Sequence, residues 1–154
     1  MKITGAFLMI LICAQLFACN KNNEMEQTNN PDNISNTDTA KMKITIGTTV
    51  FTANFYDNAT AIAFKAKLPI TINMTELNGN EKYFDLPNVL PVNASNPVTI
   101  QNGDLMLYGS NTLVLFYKTF STSYSYTRIG RIENPSGLAN ALGSGNATVT
   151  FEAE

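Results

Sequence analysis

The segment Leu105-Met-Leu-Tyr-Gly-Ser-Asn-Thr-Leu-Val-Leu-Phe-Tyr117 decides the fold of this chain. Two apolar runs, 105–108 and 112–117, flank Gly109-Ser110-Asn111, and this arrangement predicts a β-hairpin. Residues 113–116 are apolar at successive positions, whereas a strand with one face in water alternates apolar and polar residues. We therefore expect the second strand of this hairpin to be covered on both faces.

Alternating apolar and polar residues on either side of this hairpin predict further strands. The clearest case is residues 42–46 followed by 51–55, which predict a second hairpin across Gly47-Thr48. Other strands are predicted at residues 70–75, 83–86, 98–100, 126–132 and 147–151, with a turn at Asn78-Gly79 and a polar, aromatic-rich loop at 119–125.

Two short helices complete the pattern. Asp57 or Asn58 can cap a helix over residues 59–68 that stops at Pro69, and Pro135 can open a second helix that runs through Leu142. About eight short strands and two short helices within residues 41–154 predict a mainly β fold, a small closed or nearly closed β-barrel.

The amino-terminal stretch predicts an export signal. Lys2 precedes an apolar run from Ile3 that ends at Leu16-Phe17-Ala18-Cys19. Leu-x-Ala-Cys resembles the lipobox of bacterial lipoproteins, which implies cleavage before Cys19 and lipid on its sulfur. The alternatives are an ordinary cleaved signal or a single transmembrane helix, but a membrane-spanning helix needs about 20 apolar residues and this run is shorter.

The chain then divides into three parts. Residues 1–18 are the predicted lipoprotein signal peptide, residues 19–40 are the lipidated Cys19 and a tether with almost nothing to bury, and residues 41–154 are the folded domain. This organisation predicts a protein of the cell envelope, anchored by lipid to a membrane at the periplasmic face or the cell surface. It leaves open which membrane carries the anchor.

Composition excludes several classes of chemistry. The chain has no histidine, which removes His-activated nucleophiles and His-based zinc sites. With Cys13 in the signal and Cys19 acylated, the domain would have no free thiol and no disulfide. We expect no metal and no cofactor. The net charge of −2 gives no basic surface for nucleic acid.

The end of the chain resembles cyclophilins. Arg128-Ile-Gly-Arg-Ile132, a helix, Gly143 and the strand Thr148-Val-Thr-Phe151 look like the cyclophilin ending. Small bacterial cyclophilin-like domains of unknown function are more similar, since Asn102–Tyr108 and Leu113–Tyr117 look like their central hairpin. The resemblance covers residues 42–152 and implies a cyclophilin-like barrel.

The isomerase motif of true cyclophilins has no match. Their Phe-His-Arg-x-x-Pro strand corresponds best to Lys82-Tyr-Phe-Asp-Leu-Pro87, which contains neither His nor Arg, and Asn102-Gly103-Asp104 is only a turn. Phe116 resembles the family's pocket phenylalanine, which binds but does not catalyse. We therefore expect a non-catalytic binding module for an unknown peptide, protein partner or small ligand. The alternatives are a weak prolyl isomerase, another unrecognised enzyme, or a purely structural envelope component.

The aromatic segment 116–126 is the best candidate for a contact surface, since it interleaves rigid rings with hydroxyl groups. The alternative is that Phe116 and Tyr126 are core residues and the remaining rings hold the loop down. Arg128 could anchor an anion or a carbonyl, or could be a surface residue over Tyr126. The candidate ligand-binding residues are Phe84, Tyr108, Phe116, Phe120, Tyr124, Tyr126 and Arg128.

Overall fold

The computed structural model describes residues 40–154, and these fold into a closed antiparallel β-barrel with two short helices. The predicted fold class is confirmed. The predicted signal peptide at 1–18, the lipidation site Cys19 and the tether up to residue 39 lie outside the described residues. Among the residues described, no helix is long and apolar enough to cross a membrane.

Ten strands and two helices follow one another along the chain. They are β1 (Lys41–Ile46), β2 (Thr49–Phe55), α1 (Ala59–Lys65), β3 (Ile70–Leu77), β4 (Glu81–Asp85), β5 (Thr99–Ile100), β6 (Asp104–Tyr108), β7 (Thr112–Phe116), β8 (Phe120–Ser121), β9 (Thr127–Ile132), α2 (Leu138–Leu142) and β10 (Ala147–Ala153).

Eight strands close the barrel in the order β1-β10-β3-β4-β7-β6-β9-β2, with β2 pairing back onto β1. β5 and β8 form a separate two-stranded sheet. The first and last strands are neighbours, since Met42 lies opposite Ala153 and Ile46 lies opposite Val149. Closure of this kind removes the free edges of the main sheet.

The barrel interior is filled by alternate residues of the strands, as the period of two requires. In β1, Met42, Ile44 and Ile46 are buried in a single apolar cluster, and the buried apolar side chains of both helices join it. Phe64 of α1 meets Phe151 of β10 edge to face, with 5.8 Å between ring centroids. These contacts join the strands and both helices around one interior core.

Asn58 fixes the position of α1. Its side-chain oxygen accepts a hydrogen bond from the Ala61 amide at 2.9 Å, and its side-chain NH₂ donates to the Arg128 carbonyl of β9 at 2.9 Å. One residue therefore caps the helix and ties it to the barrel. The N-cap prediction is confirmed.

Several predicted boundaries are wrong. α1 ends at Lys65 rather than at 68, because the Lys67 and Leu68 amides donate to carbonyls three residues back, which tightens the last turn. α2 begins at Leu138 rather than at Pro135, because Gly137 has φ +82°.

The loop predicted at residues 119–125 contains a short strand. Phe120 and Ser121 of β8 lie opposite Ile100 and Thr99 of β5, so the loop is folded against the segment that precedes β6. The small β5–β8 sheet covers part of the outside of the barrel.

β7 is buried on both faces, as predicted. Its Leu113 and Leu115 belong to the interior, whereas Val114 and Phe116 pack on the outside. A second apolar group, here called the outer cluster, forms there. It consists of the buried Ile100, Met106, Val114, Phe116 and Tyr126, with the half-buried Tyr83 and Phe120 packed against it.

Candidate functional site

A cavity of about 580 Å³ opens on the outside of the barrel, above the outer cluster. We call it the tyrosine pocket, because four of the six tyrosines of the chain line it. Its walls come from four places. They are the end of β3 with the β3–β4 turn (Leu77, Asn78, Asn80), β4 (Glu81, Tyr83, Asp85), the β6–β7 hairpin (Tyr108, Thr112, Val114), and the segment from β8 to β9 (Phe120, Ser121, Thr122, Ser123, Tyr124, Tyr126).

The rings of the tyrosine pocket differ in their exposure. Tyr126 is buried and packs edge to face on Phe116 below it, with 5.4 Å between centroids. Tyr108 and Tyr124 stand above it and remain 47% and 61% exposed. Their rings are perpendicular at a centroid distance of 6.1 Å. The pocket therefore has a rigid aromatic floor and an exposed aromatic rim.

Hydrogen bonds hold the loop that forms this rim. The Thr122 amide donates to the Val98 carbonyl at 2.9 Å, and the Asn96 side chain donates to the Ser123 carbonyl at 3.3 Å. Ser95 and Tyr126 exchange two backbone hydrogen bonds of 3.0 Å. The rim is thus fastened to residues 95–100 at several points, so Tyr124 is presented from an anchored backbone.

Val98, which helps to hold the rim, has a strained backbone. Its φ is +63°, a region that β-branched residues rarely adopt. The Thr99 amide donates to the Pro97 carbonyl at 2.7 Å, which closes a γ-turn around Val98. Backbone strain of this kind persists only where surrounding contacts enforce it, and it concentrates at functional sites.

Two carboxylates line the tyrosine pocket. Burial is the main cause that raises the pKa of the Glu81 carboxyl, and repulsion from Glu76 adds to it. Asp85 accepts a hydrogen bond from the Thr112 hydroxyl at 2.6 Å. The pKa of Tyr126 rises to about 12, chiefly through burial and then through the negative charge of Glu81. No lysine or arginine stands among the pocket residues.

A set of hydrogen-bonded polar residues around a buried ion pair lies next to this pocket. Lys82 of β4 is fully buried, forms an ion pair with Glu76, and donates to the Gly143 carbonyl at 2.8 Å. The Tyr117 hydroxyl donates to the same Glu76 carboxylate at 2.8 Å. Every one of these contacts is internal to the domain, so this group fastens β3, β4 and β7 to the α2–β10 connection.

Four of the seven residues predicted for the site come together. Tyr108, Phe120, Tyr124 and Tyr126 all line the tyrosine pocket. Phe116 lies beneath it, fully buried in the outer cluster, so this ring supports the floor. The alternative interpretation of Phe116 and Tyr126 as buried residues is correct, but Tyr126 also lines the cavity.

The other two predicted residues lie elsewhere. Phe84 packs against the barrel interior, because side chains alternate along β4 and its neighbours Tyr83 and Asp85 take the outer face. Arg128 is not among the pocket residues. Its guanidinium donates to the Tyr56 hydroxyl at 3.1 Å and lies 5.6 Å from the centre of that ring. The predicted anchor role of Arg128 beside the aromatic loop does not match this position.

Glu81, Tyr83 and Asp85 are pocket residues that the candidate set omits. A signal for them exists, because residues at i, i+2 and i+4 of a strand share a face. The sequence does not show which of the two faces of this strand points outward, because nothing in residues 81–85 alone tells which face lies inside the barrel. Asn80 could not be foreseen, since it follows the Asn78-Gly79 turn and reaches the pocket only through the folded hairpin.

The arrangement is suited to binding. It offers aromatic faces, carboxylate and amide acceptors, and hydroxyls at a solvent-open cavity, and ligand pockets commonly measure about 300–1,000 Å³. Within residues 40–154, no three side chains of the metal-ligating types come together.

Comparison with known proteins supports the barrel architecture. The solution structure of a hypothetical protein from Archaeoglobus fulgidus aligns with a TM-score of 0.56 and 20% sequence identity, over 73% of this chain and 93% of that one. At this identity the likeness concerns the fold alone. None of the curated proteins compared with the chain matches it. The model of the cyclophilin-like family matches residues 44–152, and the chain therefore belongs to the cyclophilin-like family.

Proposed function

We propose that this chain is a lipid-tethered binding protein of the cell envelope, and that its barrel holds a peptide segment of a protein partner in the tyrosine pocket. The observation that carries the binding role is the pocket itself. Four tyrosines form its floor and rim at the outer cluster, and two of them, Tyr108 and Tyr124, stay largely exposed. Exposed tyrosines are typical of contact surfaces, because they offer large, rigid area and a polar end.

Binding is favoured over prolyl isomerisation by the chemistry of the pocket lining. Lowering the barrier to amide rotation, about 18–20 kcal/mol, calls for an oriented donor to the twisting amide. The charged side chains of the tyrosine pocket are the acceptors Glu81 and Asp85, and Arg128, the arginine predicted as an anchor, is held on Tyr56. A peptide is favoured over a small ligand because Tyr108 and Tyr124 remain 47% and 61% exposed at the rim, where they offer contact area to the residues that flank a bound side chain.

A selection experiment tests this proposal. A phage-displayed library of random peptides is selected on the full-length protein in detergent, and enriched clones are retested on two variants. Ser123→Trp places a large ring in the pocket lining, whereas Ser125→Trp places it at an exposed neighbouring site outside the lining. We expect clones that lose binding to Ser123→Trp and keep it on Ser125→Trp. Absence of enriched clones, or equal binding to both variants, would overturn the peptide-binding role.

The tether is a separate part of the proposal and rests on Leu16-Phe17-Ala18-Cys19. One acyl chain anchors a protein only marginally, whereas the two or three chains of a lipoprotein hold it stably on a bilayer. Expression in a gram-negative host with radioactive palmitate should label the wild type and Cys13→Ala, but not Cys19→Ala. An unlabelled wild type, or a labelled Cys19→Ala, contradicts lipidation at Cys19.

A further inference from the structure

We infer that the tyrosine pocket is selective for a cation, and that the group it takes is the ammonium or guanidinium of a lysine or arginine side chain in the bound peptide. This inference rests on the proposed binding function and adds to it the chemical class of the ligand. It contrasts with the expectation from sequence that an arginine beside the aromatic loop would anchor an anion.

The charge of the pocket is the first argument. Glu81 and Asp85 line it, and the lining residues include no lysine or arginine. None of the ion pairs found among residues 40–154 involves either carboxylate. Burial together with the nearby Glu76 raises the pKa of Glu81, which is the behaviour of a carboxylate without a compensating cation. A bound cation would supply that compensation.

The aromatic lining is the second argument. The face of a tyrosine ring carries partial negative charge and attracts cations within about 6 Å of the ring centre. Tyr108 lies 5.6 Å from Tyr126 and 6.1 Å from Tyr124, and its ring is perpendicular to that of Tyr124. All four tyrosines line the cavity, so a cation bound there would lie beside tyrosine rings. The rings can pack against the alkyl part of a lysine or arginine side chain, while its charged group contacts the rings and pairs with Glu81.

An unused acceptor is the third argument. Asn80 lines the tyrosine pocket, and its side-chain oxygen is buried without a hydrogen-bond partner among the described residues. A buried acceptor without a donor is unfavourable, and a turn of the Asn80 side chain toward the cavity would let this oxygen accept a hydrogen bond from a bound group. An ammonium brings three N–H donors and a guanidinium brings five, so a basic side chain suits a pocket rich in acceptors.

The experiment compares peptides whose central side chain is cationic, neutral or anionic. Acetylated, amidated tripeptides Ala-X-Ala with X as lysine, norleucine or glutamate are titrated against the full-length protein, and n-butylammonium represents a free amine. Tyrosine fluorescence is a suitable readout, because the chain has no tryptophan and four of its six tyrosines line the pocket. The variants are Glu81→Gln, with Asp85→Asn as a second test, and Glu154→Gln as a matched loss of one charge at an exposed site outside the pocket.

We expect the lysine peptide to bind more tightly than the norleucine peptide, and the glutamate peptide to bind most weakly. Glu81→Gln should weaken binding of the lysine peptide about tenfold or more, the loss that removal of a charge-assisted hydrogen bond produces. It should weaken binding of the norleucine peptide much less, and Glu154→Gln should leave the binding of both peptides unchanged. If Glu81→Gln alters the circular dichroism spectrum, Asp85→Asn decides the outcome in its place.

The other outcomes separate this inference from the function beneath it. Equal binding of the lysine and norleucine peptides, blocked by Ser123→Trp, would overturn cation selectivity while the binding role stands. Binding of n-butylammonium that depends on Glu81, without binding of any peptide, would support the cation site and overturn the peptide as its source. Failure of every probe to bind would overturn the inference, and the phage selection then decides the binding role on its own.

Discussion

Glu76 and Lys82 lie directly opposite each other in the β3–β4 hairpin, and the ammonium of Lys82 contacts the Glu76 carboxylate. Lys82 is fully buried, whereas the Glu76 side chain keeps 20% of its surface exposed. Burial of the carboxyl opposes its ionisation, but hydrogen bonds from Lys82 and Tyr117 outweigh that effect and lower the pKa of Glu76. The Glu76 carboxyl is therefore ionised near neutral pH, and its contact with Lys82 fixes one corner of the barrel.

Lys82→Met should lower the free energy of unfolding by about 3 kcal/mol, because it removes one partner of a buried ion pair and leaves the other uncompensated. It also leaves the Gly143 and Gly145 carbonyls without their donor. Urea denaturation followed by circular dichroism measures the loss. The double variant Glu76→Gln/Lys82→Met should be less destabilised than the sum of the two single variants.

Lys43→Met is the matched control for this prediction, because the ion pair of Lys43 with Glu152 lies on the surface. Its stability should hardly change. Equal losses in Lys43→Met and Lys82→Met would show that burial does not distinguish the two pairs.

Val98→Gly should leave the protein at least as stable as the wild type. The side chain of Val98 is 68% exposed, so little packing is lost, and glycine adopts its φ of +63° without the strain of about 1–3 kcal/mol that a branched residue bears. Val89→Gly is the control, since Val89 is 71% exposed and has no positive φ. Differential scanning calorimetry should show a lower melting temperature for Val89→Gly alone; a loss of the same size in Val98→Gly rules out relief of strain.

In an alkaline titration of the folded protein, two tyrosines should lose their protons at a higher pH than an unfolded tyrosine does. Burial is the largest cause that raises the pKa of Tyr117 and of Tyr126 to about 12, whereas an unfolded tyrosine titrates near 10. A raised folded-state pKa gives stability that is complete below pH 10 and is lost as the pH rises toward 12. Absorbance of tyrosinate during a pH titration should show one late group fewer in Tyr117→Phe and in Tyr126→Phe. Simultaneous titration of all tyrosines near 10 in the folded protein would contradict the burial of both.

Gly130→Ala should destabilise the barrel where β9 meets β2. A Cβ atom at residue 130 would lie 2.9 Å from the Asn54 carbonyl oxygen and 3.3 Å from the Met42 methyl carbon, so backbone has to move. Such overpacking costs about 1–3 kcal/mol. Gly145→Ala is the control, because no atom lies within 4 Å of its added Cβ, and its midpoint in urea should match the wild type. Wild-type stability of Gly130→Ala would show that β2 and β9 leave room for a methyl group at residue 130.

Periodicity carries enough information for most of the barrel. Local chemistry accounts for the alternation in β1 and β2 and for the turn at Asn78-Gly79, whose φ angles are +56° and +68°. It also accounts for β7, which is apolar on both faces. The 116–126 segment, singled out for its interleaved rings and hydroxyl groups, likewise contributes three of the pocket rings, those of Phe120, Tyr124 and Tyr126.

Local patterns fail where a side chain's surroundings come from distant strands. Lys82 reads as a surface residue, since lysine is almost never fully buried without a partner. Its partners are Glu76 on the opposite strand and two carbonyls about 60 residues further along the chain, which only the closed barrel brings to it. Arg128 is a similar case, because Tyr56 is 72 residues away in sequence.

The neighbouring positions of β1 and β10 bear on how the protein is made. Met42 pairs with Ala153, so the first strand of the domain cannot gain its second partner until the last strand has been synthesised. Pairing across so long a span makes folding slow, on the order of milliseconds to seconds for all-β domains of this kind. A nascent chain that has not yet produced β10 thus keeps β1 with one unpaired side, and the domain stays open until translation of its final residues.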